Sequence, residues 1–144
     1  MAAVVLAYLG LLAWSFLAAT VLPLSSELAL VGLVRAQHAL VTPVLVATIG
    51  NYGGACTTYW LGRRVGEALD QRAPPTQRQR QALSLFRRFG QPVLLLSWLP
   101  ILGDALVAIA GTTRIPFGTF SLYVLLGKAA RYLAVAWAAY ALLG

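Results

Sequence analysis

The sequence predicts an all-α integral membrane protein built from two inverted copies of one motif, a re-entrant hairpin followed by a transmembrane helix. Three observations predict it. The 144 residues are 60% hydrophobic and 10% charged, with mean hydropathy +0.77, whereas a soluble domain carries roughly 25% charged residues. The apolar residues lie in long blocks: residues 1–26 and 36–62 hold no charged residue, and 89–113 hold one, Asp104. The two halves of the chain also match at a fixed offset of 77 residues.

Residues 2–22 read as an apolar helix that Pro23 interrupts. Residues 25–34 restart it for only about ten residues, ~15 Å or half a bilayer. A long arm, a proline break and a short arm predict a hairpin that enters and leaves by one face. A single helix kinked at Pro23 is the other reading. No Lys or Arg occurs before Arg35, whereas a secretory signal needs a basic start, so residues 1–22 are expected to be mature structure.

Residues 40–62 are predicted to span the membrane. Gly50, Gly54, Thr58, Gly62 and Gly66 recur every four residues and line one face with small side chains, where another helix can approach closely. Cys56, the only cysteine, lies in this helix and reads as a small packing residue.

Residues 63–90 form a polar connector. Seven arginines there (Arg63, Arg64, Arg72, Arg78, Arg80, Arg87 and Arg88) stand against Glu67 and Asp70, a net +5 out of +7 for the chain. A short arginine-rich loop between membrane segments is what the positive-inside rule produces, so no nucleic-acid partner is expected. Within it, Thr76 and Gln79 make a capping box after Pro74-Pro75. Ala82, Leu85, Phe86 and Phe89 then share one face of an amphipathic helix expected to lie on the cytoplasmic membrane surface.

Residues 92–99 rise to Pro100, 101–113 return, and 117–143 make the last span, interrupted by Lys128 and Arg131. At the 77-residue offset, Pro23 falls on Pro100, Ser26-Glu27 on Gly103-Asp104, and Gly50-Asn51 on Gly127-Lys128. Each half is thus an arm, a Leu-Pro break, an acid four residues later, and a span with a central glycine. Repeat 1 covers about 1–62 and repeat 2 about 91–144, in one membrane domain. If each hairpin returns to its own face and each span crosses, the repeats are inverted, an arrangement of transporters with the site at the repeat interface. A cytoplasmic connector then leaves the first hairpin and both termini outside.

Four ionisable groups sit where charge is expensive: Glu27, Asp104, Lys128 and Arg131. Each costs about 2.5–3.5 kcal/mol near a bilayer's centre by insertion scales. Both acids open a restarted half-helix, where the helix dipole favours them. They can simply cap those helices and neutralise the two bases. Alternatively the bases, with the half-helix N-termini, hold a phosphate head group while Glu27 or Asp104 exchanges a proton. In that case Ser25, Ser26, Asn51, Ser97 and Tyr132 supply neutral hydrogen bonds around the breaks at Pro23, Pro100 and Gly103, and Glu27 and Asp104 approach each other near the midplane.

The stretches SFLAATVLPLSSELALVGLV, ATIGNYGG…YWLGR, LLLSWLPILGDALVAIAG and LGKAARYLAVA resemble the DedA superfamily of VTT-domain proteins, in its small YqaA-type branch. The resemblance covers most of the chain and implies opposed re-entrant hairpins in a multi-pass protein of a bacterial inner membrane. It also implies translocation of polyprenyl phosphate or phospholipid, with proton dependence in some relatives. Glu27 matches the family's acid in the first hairpin. The arginines that larger members carry in an R-F-x-P-x-x-R pattern are replaced here by Ser97, Trp98, Pro100 and Gly103, so the fold carries over better than the substrate. Leu24 also stands where a glycine often follows the first proline.

A lipid-phosphate flippase or scramblase is therefore the expected function, with membrane lipids as partners. A proton- or cation-coupled transporter of a small solute is the alternative. The sequence has no HExxH, Gly-x-Ser-x-Gly, P-loop or Gly-x-Gly-Asp motif, and neither an enzyme activity nor a cofactor or metal is expected. His38 reads as a polar interfacial residue. So small a bundle can hardly surround a lipid by itself, which makes a homodimer plausible.

Overall fold

The computed structural model describes residues 1–20, 26–37, 39–68, 76–99 and 101–142, excepting the side chains of 37, 67, 68, 78 and 79. Pro23, Ser25, His38, Asp70, Arg72, Pro74, Pro75 and Pro100 lie outside them, as does the Gln79 half of the capping box. All elements among the described residues are helical: α1 (Ala2–Ala18), α2 (Ser26–Gln37), α3 (Val41–Ala68), α4 (Gln77–Phe89), a 3₁₀ helix (Gln91–Trp98), α5 (Leu102–Thr112) and α6 (Phe117–Ala141). They form two compact units, residues 1–54 with 128–144, and residues 55–127. The long helices α3 and α6 each contribute one half to each unit.

In the first unit α1 packs against α2. Leu11, Leu30, Val34, Val44, Ala47, Tyr132 and Ala136, drawn from four helices, make its core. Gly50 and Gly54 bring α3 onto α1: a Cβ at Gly50 would strike the Leu12 carbonyl, and one at Gly54 the Phe16 carbonyl.

In the second unit the 3₁₀ helix packs against α5. The small-residue stripe of α3 continues here onto a different helix, with Gly62 against Ala108 and Gly66 against Thr112. From α5, Gly111 meets the Tyr59 backbone in return. Tyr59 is fully buried, stacks on Phe120 at 4.4 Å between ring centroids, and donates its hydroxyl to the Ile115 carbonyl at 2.5 Å. Trp60 and Phe117 extend this aromatic cluster, and the Arg63 guanidinium lies 5.4 Å from the Trp60 ring centre.

Three elements differ from the sequence expectation. α3 runs on to Ala68, past Arg63 and Arg64, because charge at a helix end does not stop hydrogen bonding along the backbone. Its 28 residues are long enough to cross a bilayer, at ~42 Å, but Thr, Gly and Asn dilute its hydropathy. Among the described residues α6 alone is both long and apolar enough to cross. The segment expected to rise toward Pro100 is a 3₁₀ helix of eight residues, Gln91–Trp98. At ~2.0 Å per residue it reaches ~16 Å, farther than an α-helix of that length, although such runs are uncommon beyond three or four residues. Ile101, which follows it, has φ 67°, a region costly for a β-branched residue. Finally, α4 does not present its apolar face solely to a membrane surface. It packs on the 3₁₀ helix and α5 with Ala82 fully buried, while Phe89 stays exposed.

Across both units large apolar side chains lie on the surface, and several polar ones lie within a mainly apolar interior. Leu28 is 76% exposed and Trp137 68%, with Leu6, Leu45, Ile49, Leu61 and Leu122 also on the surface, while Ser15, Ser26, Thr48, Asn51, Ser97 and Lys128 are buried.

Candidate functional site

The first unit gathers most of the predicted polar residues. Asn51, at the middle of α3, is buried beside α1 because Gly50 leaves no side chain between the two backbones. Its Nδ2 donates to the Ser15 carbonyl at 3.0 Å, and its Oδ1 accepts from Lys128 Nζ. Lys128 is only 3% exposed. A neutral amide orients an ammonium; it supplies direction, not charge.

One turn on along α6, Arg131 forms an ion pair with Glu27 in the first turn of α2. Both Nε, at 2.8 Å, and Nη2 donate to Glu27 Oε1. The adjacent residues pair as well: Ser26 Oγ and the fully buried Tyr132 hydroxyl lie 2.6 Å apart. Two consecutive residues of α2 thus meet two consecutive residues of α6. The polar start of α2 is satisfied by α6, as a buried helix terminus requires.

The two bases thus reach different helices in this structure. Arg131 is held by an acid of α2, and Lys128 by an amide of α3. Ser97, Gly103 and Asp104 belong to the second unit. Gly103 is buried with its backbone against that of Ser97, so that even a methyl group there would collide with the Ser97 carbonyl. The Ser97 hydroxyl is buried with no hydrogen-bond partner, and Asp104 is half-buried in the first turn of α5.

Ser15 belongs with this cluster, and neither it nor Thr48, a further buried polar residue of the same unit, stands out in the sequence. Both are buried, and the Thr48 hydroxyl lacks a hydrogen-bond partner. Ser15 is adjacent to Tyr132. The available signal was a lone hydroxyl in the apolar run of α1, five residues ahead of Thr20. Among the described residues, no three His, Cys, Asp or Glu side chains group so as to hold a metal ion.

Chemically, the first unit presents an ammonium, a guanidinium held by a carboxylate, and several hydroxyls in an otherwise apolar bundle. Such a set can take an anion and exchange a proton.

Comparison with known proteins gives a concordant result. Residues 22–141 match the VTT domain family. The inner membrane protein YqaA of Escherichia coli is 41% identical over 133 residues, covering 91% of this chain and 89% of that protein. YqaA of Shigella flexneri matches to the same extent. An uncharacterised protein of Haemophilus influenzae is 41% identical over 129 residues, 84% of this chain and 80% of its own. No solved structure matches the chain. The chain belongs to the VTT-domain family, within the DedA superfamily and alongside YqaA.

Proposed function

We propose that the chain is a multi-pass protein of the cytoplasmic membrane that translocates a lipid phosphate, with a proton exchanged at Glu27. The single observation that carries the reading is charge held inside a bundle with an apolar surface. A buried Lys128 and a Glu27–Arg131 pair lie inside a protein whose surface is rich in large apolar side chains. Soluble monomers rarely expose contiguous apolar patches beyond a few hundred Å², whereas ionisable residues inside a membrane protein mark transport pathways. The name inner membrane protein borne by the two YqaA relatives supports the same location.

The inverted repeat belongs to this proposal. Asn51 and Lys128 stand 77 residues apart, the repeat offset, and they hydrogen-bond to each other. Equivalent residues of two repeats meet where a pseudo-two-fold axis passes between them. Each unit also holds part of α3 and part of α6 together with shorter helices, α1 and α2 in the first and α4, the 3₁₀ helix and α5 in the second. The two breaks are then the tips of re-entrant hairpins, and the Asn51–Lys128 contact lies near the bilayer midplane.

The mechanism follows from the pairing. Lys128, directed by Asn51, attracts the head-group phosphate. Arg131 can bind the same anion bidentately only when Glu27 loosens its hold. Protonation of Glu27 removes the charge that holds Arg131, so anion binding and proton uptake favour each other. Release of the proton on the far side restores the ion pair and expels the phosphate. Uptake therefore rises as the pH on the entry side falls.

Translocation of a labelled lipid phosphate in proteoliposomes, measured across pH, tests this with Glu27→Gln. The amide mimics the protonated acid, so head-group binding should persist while transport loses its pH dependence. An unchanged wild-type pH slope in Glu27→Gln would remove Glu27 from the coupling.

A further inference from the structure

The turn between α5 and α6 holds an arginine where a glycine is expected. The Arg114 amide donates to the Gly111 carbonyl at 3.0 Å, and the Ile115 amide to the Ala110 carbonyl at 3.0 Å. This pair of bonds closes a helix on a residue in the left-handed region, a place that glycine usually takes. Arg114 takes it with φ 56° and an exposed side chain. Arginine gains nothing there from its backbone; what it adds is a guanidinium on the surface.

A second arginine is tied to the same place. A Cβ on Gly111 would lie 2.9 Å from the Arg63 amide nitrogen, so α3 and the end of α5 run in backbone contact. One turn earlier on α3, the Tyr59 hydroxyl donates to the Ile115 carbonyl at 2.5 Å and fixes the turn against that helix. The Arg63 guanidinium lies 5.4 Å from the Trp60 ring centre, and Trp60 meets Phe117 at 5.6 Å between ring centroids. Both rings are exposed. Stacking uses the flat face of a guanidinium and leaves its edge donors for an anion. Among Arg63, Arg64, Arg114 and the neighbouring Glu67, three positive charges stand against one negative.

Exposed aromatic rings beside cations suit the level of a membrane where acyl chains give way to head groups. A soluble anion would use the arginines and leave the rings in water, and a diffuse positive surface needs no arginine in a glycine's conformation. We infer that Arg63 and Arg114, with the rings of Trp60 and Phe117, bind the phosphate of an anionic phospholipid that stays at this end of α3. The inference rests on the membrane setting and is independent of translocation, since none of these four residues takes part in the Asn51–Lys128 or Glu27–Arg131 contacts.

Trp60 reports on the site once Trp14, Trp98 and Trp137 are changed to Phe in the full chain. The remaining indole is quenched by lipids brominated on the upper acyl chain, in phosphatidylcholine vesicles carrying equal amounts of brominated phosphatidylglycerol or brominated phosphatidylcholine. Phosphatidylglycerol should quench more. Arg63→Gln and Arg114→Gln should each weaken its binding about fivefold, the effect of one arginine at a membrane surface. Arg35→Gln removes the same charge from the first unit and should leave the preference unchanged. Native mass spectrometry of the protein with all its tryptophans reads the same preference as retained phosphatidylglycerol, whatever the Phe substitutions do to folding.

Arg114→Gly should raise Tm, because glycine suits the left-handed turn, while lowering that retention. A change in Tm alone would make Arg114 structural and refute the site. Equal quenching and retention of the two lipids, an equal loss in Arg35→Gln, or displacement of phosphatidylglycerol by inorganic phosphate at the same concentration would also overturn it. Failure of the wild-type protein to translocate a lipid phosphate bears on the transport reading and leaves this site standing.

Discussion

Arg131 and Glu27 are each partly exposed, at 19% and 28% of their side chains, so their attraction is neither fully screened nor fully desolvated. Removing one partner leaves the other half-buried without its main counter-charge. Arg131→Gln should therefore destabilise the protein by about 1–3 kcal/mol, below the 3–5 kcal/mol of a deeply buried pair. Adding Glu27→Gln should recover most of that loss. Thermal unfolding of the two single variants and the double in detergent measures the coupling, and purely additive effects would contradict the pairing. The charges themselves were legible in the sequence, because an acid or base in an apolar run is conspicuous. Their partners were not. Lys128 and Arg131 share a helix face by spacing, yet Lys128 is met by α3 and Arg131 by α2. Only the three-dimensional arrangement separates them. Ser15 and Thr48 escaped for a different reason: a helical hydroxyl commonly bonds to its own backbone, and nothing in sequence tells such a residue from one whose hydroxyl does not.

At the scale of elements, the glycine stripe of α3 was read as a packing face, and the structure divides that face between two helices. Gly50 and Gly54 admit α1, and Gly62 and Gly66 admit α5. Where helices are surrounded by an apolar medium, such close backbone approach carries much of the association energy, since burying leucine gains little. Gly62→Leu and Gly111→Leu should each lower stability by about 3 kcal/mol or more, because the side chain meets backbone that cannot move aside. Gly10 and Gly32 have open space where a Cβ would go, and Leu at either should leave Tm within about a degree of wild type. A thermal-shift series in detergent separates the two groups. Tyr59→Phe removes a hydrogen bond inside the second unit and should cost about 1–2 kcal/mol. Helix order was readable from the apolar runs and the polar stretches between them. The 3₁₀ form of residues 91–98 was not, since apolar periodicity over eight residues does not distinguish 3.0 from 3.6 residues per turn. The packing of α4 on its own protein was hidden because an amphipathic face looks the same whether lipid or protein covers it.

For the whole molecule, the positive-inside rule predicts that the connector, with its +5 charge, lies on the cytoplasmic side. Single cysteines replacing Arg35 or Arg72 in a Cys56→Ser background report it. Position 35 should label from outside whole cells and position 72 should not; the reverse pattern would invert the topology. The 77-residue offset was visible in sequence through Pro, acid and Gly pairs, and the Asn51–Lys128 bond joins two residues that this offset makes equivalent. The central claim is that the buried bases bind the transported anion instead of merely balancing buried acids. The measurement that tests it most directly is lipid-phosphate translocation by proteoliposomes carrying the Lys128→Gln, Arg131→Gln double variant, with folding checked by its elution as a single species. The account predicts a folded protein whose translocation falls to the rate of protein-free vesicles; translocation at the wild-type rate would contradict it.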